Sequence, residues 1–237
     1  MNLVMFDIDG TLTRTNDVDS RCFVQALEDV LGIRNIDTEW THYAHATDEG
    51  CLQEIITRNS LHPINPADLI RVRERHFRLL RQNASSDESL FQVIPGAREM
   101  LADLQAQKNI TVAFATGAWL ESVVIKLRQA RIDLNNIALA TSSDAISREQ
   151  VMQISEERAN KTGKAFTTRI YVGDAAWDVQ VAIRLGYDFI GIAVGQKAEA
   201  LRSKGARWIV PDYSDRNRFL SILNEIFSAS SLSVESR

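Results

Sequence analysis

Six short runs of apolar residues, rich in β-branched and aromatic side chains, recur along the chain. They occupy residues 3–6, 111–115, 137–140, 169–172, 189–194 and 208–210. Runs that are apolar almost throughout are typical of strands buried on both faces of a parallel sheet. The helical patterns between the later runs occupy residues 97–107, 120–130, 148–161 and 178–185. This alternation predicts an α/β fold with a doubly wound parallel sheet.

The stretch between the first two runs breaks this alternation. From about residue 15 to residue 94 it has no convincing strand, but it has helical patterns at residues 19–31, 48–58 and 66–81. Roughly 80 residues are too many for a plain loop. The pattern therefore predicts a core domain of residues 1–14 and 95–237 and an inserted helical cap domain of residues 15–94. The polar run at residues 83–89 predicts a turn within or beside the cap.

Polar side chains follow the first four runs at the point where each run ends. They are Asp7, Thr116, the group at residues 142–144, and Asp174. Because ligands bind beyond the carboxyl ends of the strands in an open parallel sheet, we expect these side chains to meet at one edge. One acid after a strand is usually a turn or capping residue, but four such strand ends favour a functional site.

Two carboxylates lie close together after the first run, in the sequence Asp7-Ile-Asp9-Gly10. In extended backbone, residues two apart point to the same face, and Gly10 permits a sharp turn after them. Carboxylates held this close repel each other unless a cation or a proton lies between them. The pair therefore indicates a divalent metal site or acid–base chemistry.

These motifs resemble those of the haloacid dehalogenase superfamily. Asp7-Ile-Asp9-Gly-Thr-Leu-Thr13 is similar to its first motif and Phe114-Ala-Thr116-Gly117 to its second. Arg148 stands where the third motif has a basic residue, more often lysine, and Val172-Gly-Asp174-Ala-Ala-Trp-Asp178 is similar to the fourth. Pro95-Gly-Ala-Arg-Glu-Met-Leu101 resembles the re-entry helix of phosphoglycolate-phosphatase-like members. The resemblance implies a Rossmann-like core and a helical cap of the C1 type.

The resemblance also implies roles for individual residues. Asp7 would attack the phosphorus and form an aspartyl phosphate, and Asp9 would be the general acid and base. Mg²⁺ would be held by Asp7, by Asp9 through its backbone carbonyl, and by Asp174. Thr116 and the backbone N–H of Gly117 would bind phosphate oxygens.

Two of the implied roles have alternatives that the sequence leaves open. Asp178 could hold the ion through a water molecule, or it could be an acid that stabilises the start of a helix. Arg148 could neutralise the transferring phosphoryl group, or it could be a solvated helix residue. In the second case Lys126, Lys161 or Lys164 would supply the positive charge.

Composition narrows the class of protein. The 237 residues are 45% hydrophobic and 24% charged, which is typical of a globular chain, and the net charge is −4. No long basic run is present, so we expect neither nucleic acid nor a membrane surface as a partner. The two cysteines predict no disulfide framework, and the short apolar start predicts no secretion signal. We expect a cytoplasmic protein.

The sequence therefore predicts a Mg²⁺-dependent phosphatase that hydrolyses a phosphate monoester of a small molecule. A phosphomutase, in which the aspartyl phosphate passes to a second hydroxyl, is the nearest alternative. A non-catalytic regulatory module that binds a phosphate or a metabolite is the alternative from another class. The phosphorylated substrate and the oligomeric state stay open at this stage.

Overall fold

The computed structural model describes residues 1–59, 65–161, 163 and 165–235, the last five of them by their backbone alone. Its described strands form one parallel sheet in the order β3-β2-β1-β4-β5-β6. The strands are β1 (Asn2–Phe6), β2 (Ile110–Ala115), β3 (Ala138–Ala140), β4 (Thr168–Gly173), β5 (Asp188–Ile192) and β6 (Trp208–Val210). This is the order of a doubly wound α/β sheet, so the predicted fold class is confirmed.

Helices cover both faces of the sheet. On one face lie α4 (Ala97–Gln105), α5 (Leu120–Gln129) and α9 (Arg216–Glu235), and on the other α6 (Arg148–Ala159), α7 (Ala176–Leu185) and α8 (Gly195–Ser203). The side chains of strand β1 pack against the helices on both faces of the sheet. Val4 and Phe6 pack into the first hydrophobic cluster, while Leu3 and Met5 pack into the second. Alternate side chains of a strand point to opposite faces, so a central strand has to be apolar throughout.

The cap lies between β1 and β2 and is helical where it is described. It contains α1 (Asn16–Leu31), α2 (Asp48–Asn59), α3 (Pro66–Ser86) and short 3₁₀ segments at Trp40–His42 and Glu88–Phe91. The turn predicted from residue 83 is wrong in part, because α3 continues to Ser86. The cause is Ala84, which is buried in a cluster with Val18 and Cys22 of α1. This contact holds the last turn of α3 against α1.

The two connections between cap and core run side by side. The backbone N–H of Arg14 donates to the carbonyl of Gln92 at 2.7 Å, and that of Ile94 donates to the carbonyl of Leu12 at 2.9 Å. Thr13 and Val93 form an isolated antiparallel bridge between them. The division into domains at residues 14/15 and 94/95 stays a prediction, and these hydrogen bonds agree with it. Among the described residues, none of the helices combines the length and hydropathy needed to cross a bilayer.

Candidate active site

A cavity of about 630 Å³ opens between the cap and the carboxyl edge of the sheet. Six of the residues that the sequence analysis selected line it: Asp7, Asp9, Thr116, Gly117, Arg148 and Asp174. The strand order explains why they meet. Phe6 of β1 pairs with Phe114 of β2 on one side and with Val172 of β4 on the other, so the residues after these strands become neighbours.

Asp7 lies at the floor of this cavity with only 3% of its surface exposed. Its Oδ1 is 3.2 Å from Nη1 of Arg148, which donates a hydrogen bond to it. The pKa of Asp7 is raised to about 6, mainly by burial; the Arg148 guanidinium opposes this rise, and the carboxylates of Asp174 and Asp9 contribute to it. Any added positive charge near this carboxyl would stabilise its ionised form.

Asp174 and Asp178 complete an acidic group around Asp7. Each contributes a carboxylate oxygen, and the three oxygens lie within 4.8 Å of one another. Burial raises the pKa of Asp178 to about 8, with Arg148 opposing and the two neighbouring carboxylates adding to the rise. Mg²⁺ prefers ligand sets made only of oxygen atoms, such as these carboxylates. The residues present therefore fit a divalent cation.

The tight turn after Asp9 places the backbone directly against Asp174. Gly10 has a φ of +73°, and a Cβ there would be 1.8 Å from Oδ2 of Asp174. A side chain at this position would both strain the backbone and displace the carboxylate. Oδ2 of Asp174 also accepts a hydrogen bond from Nδ2 of Asn16 at 3.0 Å and is ion-paired with Lys197. Sequence reasoning missed Asn16 and Lys197, since neither lies in a recognisable motif.

Both alternatives for Asp178 find support in its contacts. Its Oδ2 accepts hydrogen bonds from the backbone N–H groups of Asp174 and Ala175, at 3.2 and 3.0 Å, which is how an acid stabilises the start of α7. Its Oδ1 is 3.4 Å from Nη1 of Arg148 and belongs to the acidic group described above. Asp178 thus fixes the loop that carries Asp174 and brings a third carboxyl to the site.

Arg148 is the first residue of α6 and is buried, so it is not a solvated helix residue. Besides Asp7, its Nη1 donates to Oη of Tyr171 at 3.3 Å, and its Nη2 donates to the carbonyl of Ala46 in the cap at 3.2 Å. Of the three lysines named as substitutes, Lys161 is exposed beyond the end of α6 and Lys164 lies outside the described residues. The third, Lys126, is bound elsewhere in the site.

Lys126 contacts Asp9 rather than Asp7. Its Nζ is 2.7 Å from Oδ2 of Asp9 and 2.6 Å from Oδ1 of Asp19, a residue of α1 in the cap. The other oxygen of Asp9, Oδ1, accepts a hydrogen bond from Oγ1 of Thr15 at 2.5 Å. Burial alone would lower the pKa of Lys126, but the carboxylates of Asp19 and Asp9 raise it above its ordinary value, so the side chain is an ammonium.

Thr116 and Gly117 form the loop between β2 and α5. Thr116 is 1% exposed, and its Oγ1 accepts a hydrogen bond from the backbone N–H of Ala118 at 3.3 Å. Helix α5 begins only at Leu120, so these N–H groups belong to the loop before the helix. A Cβ on Gly117 would be 2.5 Å from the carbonyl of Ala46, so the cap rests on this glycine.

A family model for haloacid dehalogenase-like hydrolases matches residues 4–192, which is most of the chain. The chain belongs to this family. Its members are generally phosphatases, and the match spans all four motif regions. A search of curated protein sequences finds no match to this hydrolase.

Solved structures with the same fold cover almost the whole of this hydrolase. A hydrolase from Pseudomonas syringae has 23% identity and a TM-score of 0.74, covering 95% of this chain and 99% of its own. A predicted phosphoglycolate phosphatase from Haemophilus somnus has 17% identity and a TM-score of 0.66, with 92% and 97% covered. CbbY from Rhodobacter sphaeroides, in complex with phosphate, has 16% identity and a TM-score of 0.63, with 90% and 94% covered. At these identities the likeness shows the fold.

Proposed function

We propose that this hydrolase is a Mg²⁺-dependent phosphatase that cleaves a phosphate monoester of a small molecule through an aspartyl phosphate on Asp7. The observation that carries the proposal is the setting of Asp7. It is a buried carboxylate at the end of β1, in contact with a buried guanidinium and close to two further carboxylates. This arrangement serves a nucleophile that must meet a dianionic phosphoryl group without being repelled by it.

The cation of the proposal would be held by Asp7, by the backbone carbonyl of Asp9 and by Asp174, with Asp178 next to them. When bound, Mg²⁺ offsets the negative charge of the carboxylates and of the phosphoryl oxygens. Lys197 is ion-paired with Asp174, but its side chain is 46% exposed, so it is free to move when an ion or a substrate enters. The binding of an anionic substrate by a chain with a net charge of −4 therefore depends on local charge.

In the first step an oxygen of Asp7 forms a bond to phosphorus while the bond to the leaving oxygen breaks. Arg148 binds the phosphoryl oxygens from one side, and Thr116 with the N–H of Gly117 binds them from the loop after β2. Asp9 gives its proton to the leaving oxygen. In the second step Asp9 takes a proton from water, whose oxygen attacks the phosphorus and releases Asp7. The cap shields both steps from bulk water.

The two alternatives differ from this proposal in what becomes of the phosphoryl group. A phosphomutase would return it to a second hydroxyl, and a binding module would never transfer it. Asp9 argues against the binding module, because such a module has no use for a second carboxyl that moves protons. The predicted phosphoglycolate phosphatase and CbbY are similar in fold over at least nine-tenths of this chain, and CbbY is described with phosphate bound, which supports a phosphorylated small-molecule substrate.

The test measures release of inorganic phosphate from p-nitrophenyl phosphate, followed by a panel of sugar phosphates, phosphoglycolate and nucleotides. The wild type, Asp7→Asn and Asp9→Asn are compared with MgCl₂ and with EDTA. We expect Mg²⁺-dependent turnover by the wild type and complete loss in Asp7→Asn. In Asp9→Asn we expect kcat to fall about 10²- to 10⁴-fold, because no carboxylate takes the proton from water in the second step. Asp188→Asn is the matched control, because Asp188 starts β5 at the opposite edge of the sheet.

Each other result has a defined meaning. Turnover retained by Asp7→Asn would refute the nucleophile assignment. Transfer of labelled phosphate between two hydroxyls of one sugar, without release, would favour the phosphomutase. A folded wild type that binds phosphate and hydrolyses no ester of the panel would favour the binding module.

A further inference from the structure

Lys126 is a fully buried lysine on the inner face of α5, a helix that otherwise buries only Ser122, Val123 and Leu127. A lysine at such a position is costly to bury unless its charge is compensated. The reaction proposed above does not use it. Its presence beside the catalytic carboxyl therefore calls for a role of its own.

The ammonium of Lys126 joins two carboxylates that come from different parts of the fold. It is 2.7 Å from Oδ2 of Asp9 in the core and 2.6 Å from Oδ1 of Asp19 in the cap. Asp19 is supported in turn by His76 of α3, whose Nε2 is 3.4 Å from the same oxygen. Lys126 and His76 are fully buried, so solvent does not screen this arrangement.

The two oxygens of Asp9 have partners of different chemistry. Oδ2 faces an ammonium, which has only hydrogen atoms to give, so a proton placed on Oδ2 would meet another proton. Oδ1 faces the hydroxyl of Thr15, which can accept as well as donate. The proton that Asp9 carries therefore belongs on Oδ1.

We propose that Lys126 is a positioning residue for Asp9: anchored by Asp19 of the cap, its ammonium fixes Oδ2 and leaves Oδ1 as the oxygen that passes the proton to the leaving group. This inference rests on the proposed phosphatase reaction. In that reaction Asp7 forms its bond to phosphorus, the bond to the leaving oxygen breaks, and the proton moves from Oδ1 of Asp9 to that oxygen. Lys126 itself gives up no proton.

The experiment compares two esters that differ only by a nitro group, phenyl phosphate and p-nitrophenyl phosphate. Phenolate is the more basic leaving group and depends on the proton, whereas p-nitrophenolate leaves readily without one. The measured quantity is kcat/KM, because it covers only the steps through departure of the leaving group. A residue that acts through the proton of Asp9 must therefore affect the two esters unequally.

Lys126→Met removes the charge and keeps the length of the side chain. We expect kcat/KM to fall about 10- to 100-fold for phenyl phosphate and less than about threefold for p-nitrophenyl phosphate. In the Asp9→Asn background the same change should add nothing for either ester, since the group that Lys126 positions is no longer an acid.

A second variant distinguishes a positioning role of Lys126 from a loss caused by misfolding. Lys126→Met alone leaves two carboxylates facing each other, whereas Lys126→Met combined with Asp19→Asn removes one charge of each sign and keeps the net charge of the group. The double variant should show the same unequal loss. Arg73→Met is the control, because Arg73 is ion-paired with Glu49 within the cap and touches neither Asp9 nor Lys126. It should change kcat/KM for both esters equally or for neither.

The outcomes separate this inference from the proposed function. If the wild type releases phosphate from neither ester, the proposed function fails and the inference fails with it. Only the inference is overturned if the wild type is active and Asp7→Asn is not, yet folded Lys126 variants show an equal fall in kcat/KM for both esters or no fall for either. An additional loss on Lys126→Met in the Asp9→Asn background would also contradict it.

Discussion

At the scale of single residues, the cap contributes a carboxylate whose charge depends on pH near neutrality. Oδ2 of Asp48 accepts a hydrogen bond from the backbone N–H of Trp119 at 2.9 Å, and Asp48 also lines the cavity. Burial, followed by the nearby carboxylate of Asp19, raises the pKa of Asp48 from 3.8 to about 7. The folded protein therefore holds this proton more tightly than the unfolded chain does.

The sign of the resulting pH dependence follows from linkage. Between about pH 4 and pH 7 the folded state keeps a proton on Asp48 that the unfolded state has lost, so stability falls as the pH rises. We expect Asp48→Asn to raise the free energy of unfolding by about 2 kcal/mol at pH 8 and to leave it unchanged below pH 4. Thermal unfolding of both proteins across this range measures the difference. A difference that does not change with pH would contradict it.

The sequence predicted the residues of the site that lie directly after strands and missed those that reach it from elsewhere. Asp7, Asp9, Thr116 and Asp174 are fixed by the ends of β1, β2 and β4, and such positions can be read from a local pattern. Asp19 and Lys197 reach the site from helices rather than from strand ends, and nothing in their neighbours marks them. Lys126 was noted as a cation, but its partner could not be derived from spacing.

At the scale of elements, the junction of β1 and β4 decides where a cation can bind. Phe6 of β1 pairs with Val172 of β4, and the backbone N–H of Asp7 donates to the carbonyl of Val172 at 2.9 Å. These contacts hold the loops that carry Asp7 and Asp174 side by side. A bound cation would therefore link two strands that are far apart in the sequence.

We expect MgCl₂ to raise the melting temperature of the wild type by roughly 5 °C, because an ion that binds the folded state alone stabilises it by mass action. Asp174→Asn should lose most of this shift, since it removes one of the carboxylates. Differential scanning calorimetry with MgCl₂ and with EDTA measures it, and Asp188→Asn is the control. An equal shift in wild type and Asp174→Asn would place the cation elsewhere.

The secondary structure elements themselves were predictable to different degrees. The strands were found because central strands of a parallel sheet are apolar on both faces, as β1 and β4 are. Helix α8 was missed because it is short and buries only Ala198 and Leu201, which leaves little periodicity to detect. The end of α3 was placed too early because Ala84 makes its contacts with another helix, and a single-sequence pattern does not show them.

At the scale of the whole molecule, the hydrophobic interior of the cap includes a side chain from the core. Trp119 precedes α5, yet it is fully buried in a cluster with Phe23 of α1, Cys51 of α2 and Phe77 of α3. Its ring is 5.7 Å from that of Phe23 and 5.9 Å from that of Phe77. Its Nε1 also donates to Oε2 of Glu49 at 3.1 Å, so both its apolar and its polar surface are used.

Trp119→Ala should destabilise the protein by about 3–5 kcal/mol, because it leaves a cavity and removes one of the hydrogen bonds to Glu49. The cap should become the first region that a protease cuts. Thermal unfolding and limited proteolysis with mass spectrometry measure the two effects. Trp208→Ala is the control, since Trp208 is half-buried in the edge strand β6 and should cost less. Equal costs for the two variants would show that the cap does not depend on Trp119.

The position of Trp119 sets a condition for exchanging parts between members of this fold. In a chimera that receives residues 15–94 from another hydrolase, the indole of Trp119 would pack against apolar side chains that come from the other protein. A donor with a small residue at the equivalent place would bring a cap too crowded to accept it, and the reciprocal graft would be left with a hole. A cap of this fold can therefore be transplanted only together with the residue that precedes α5.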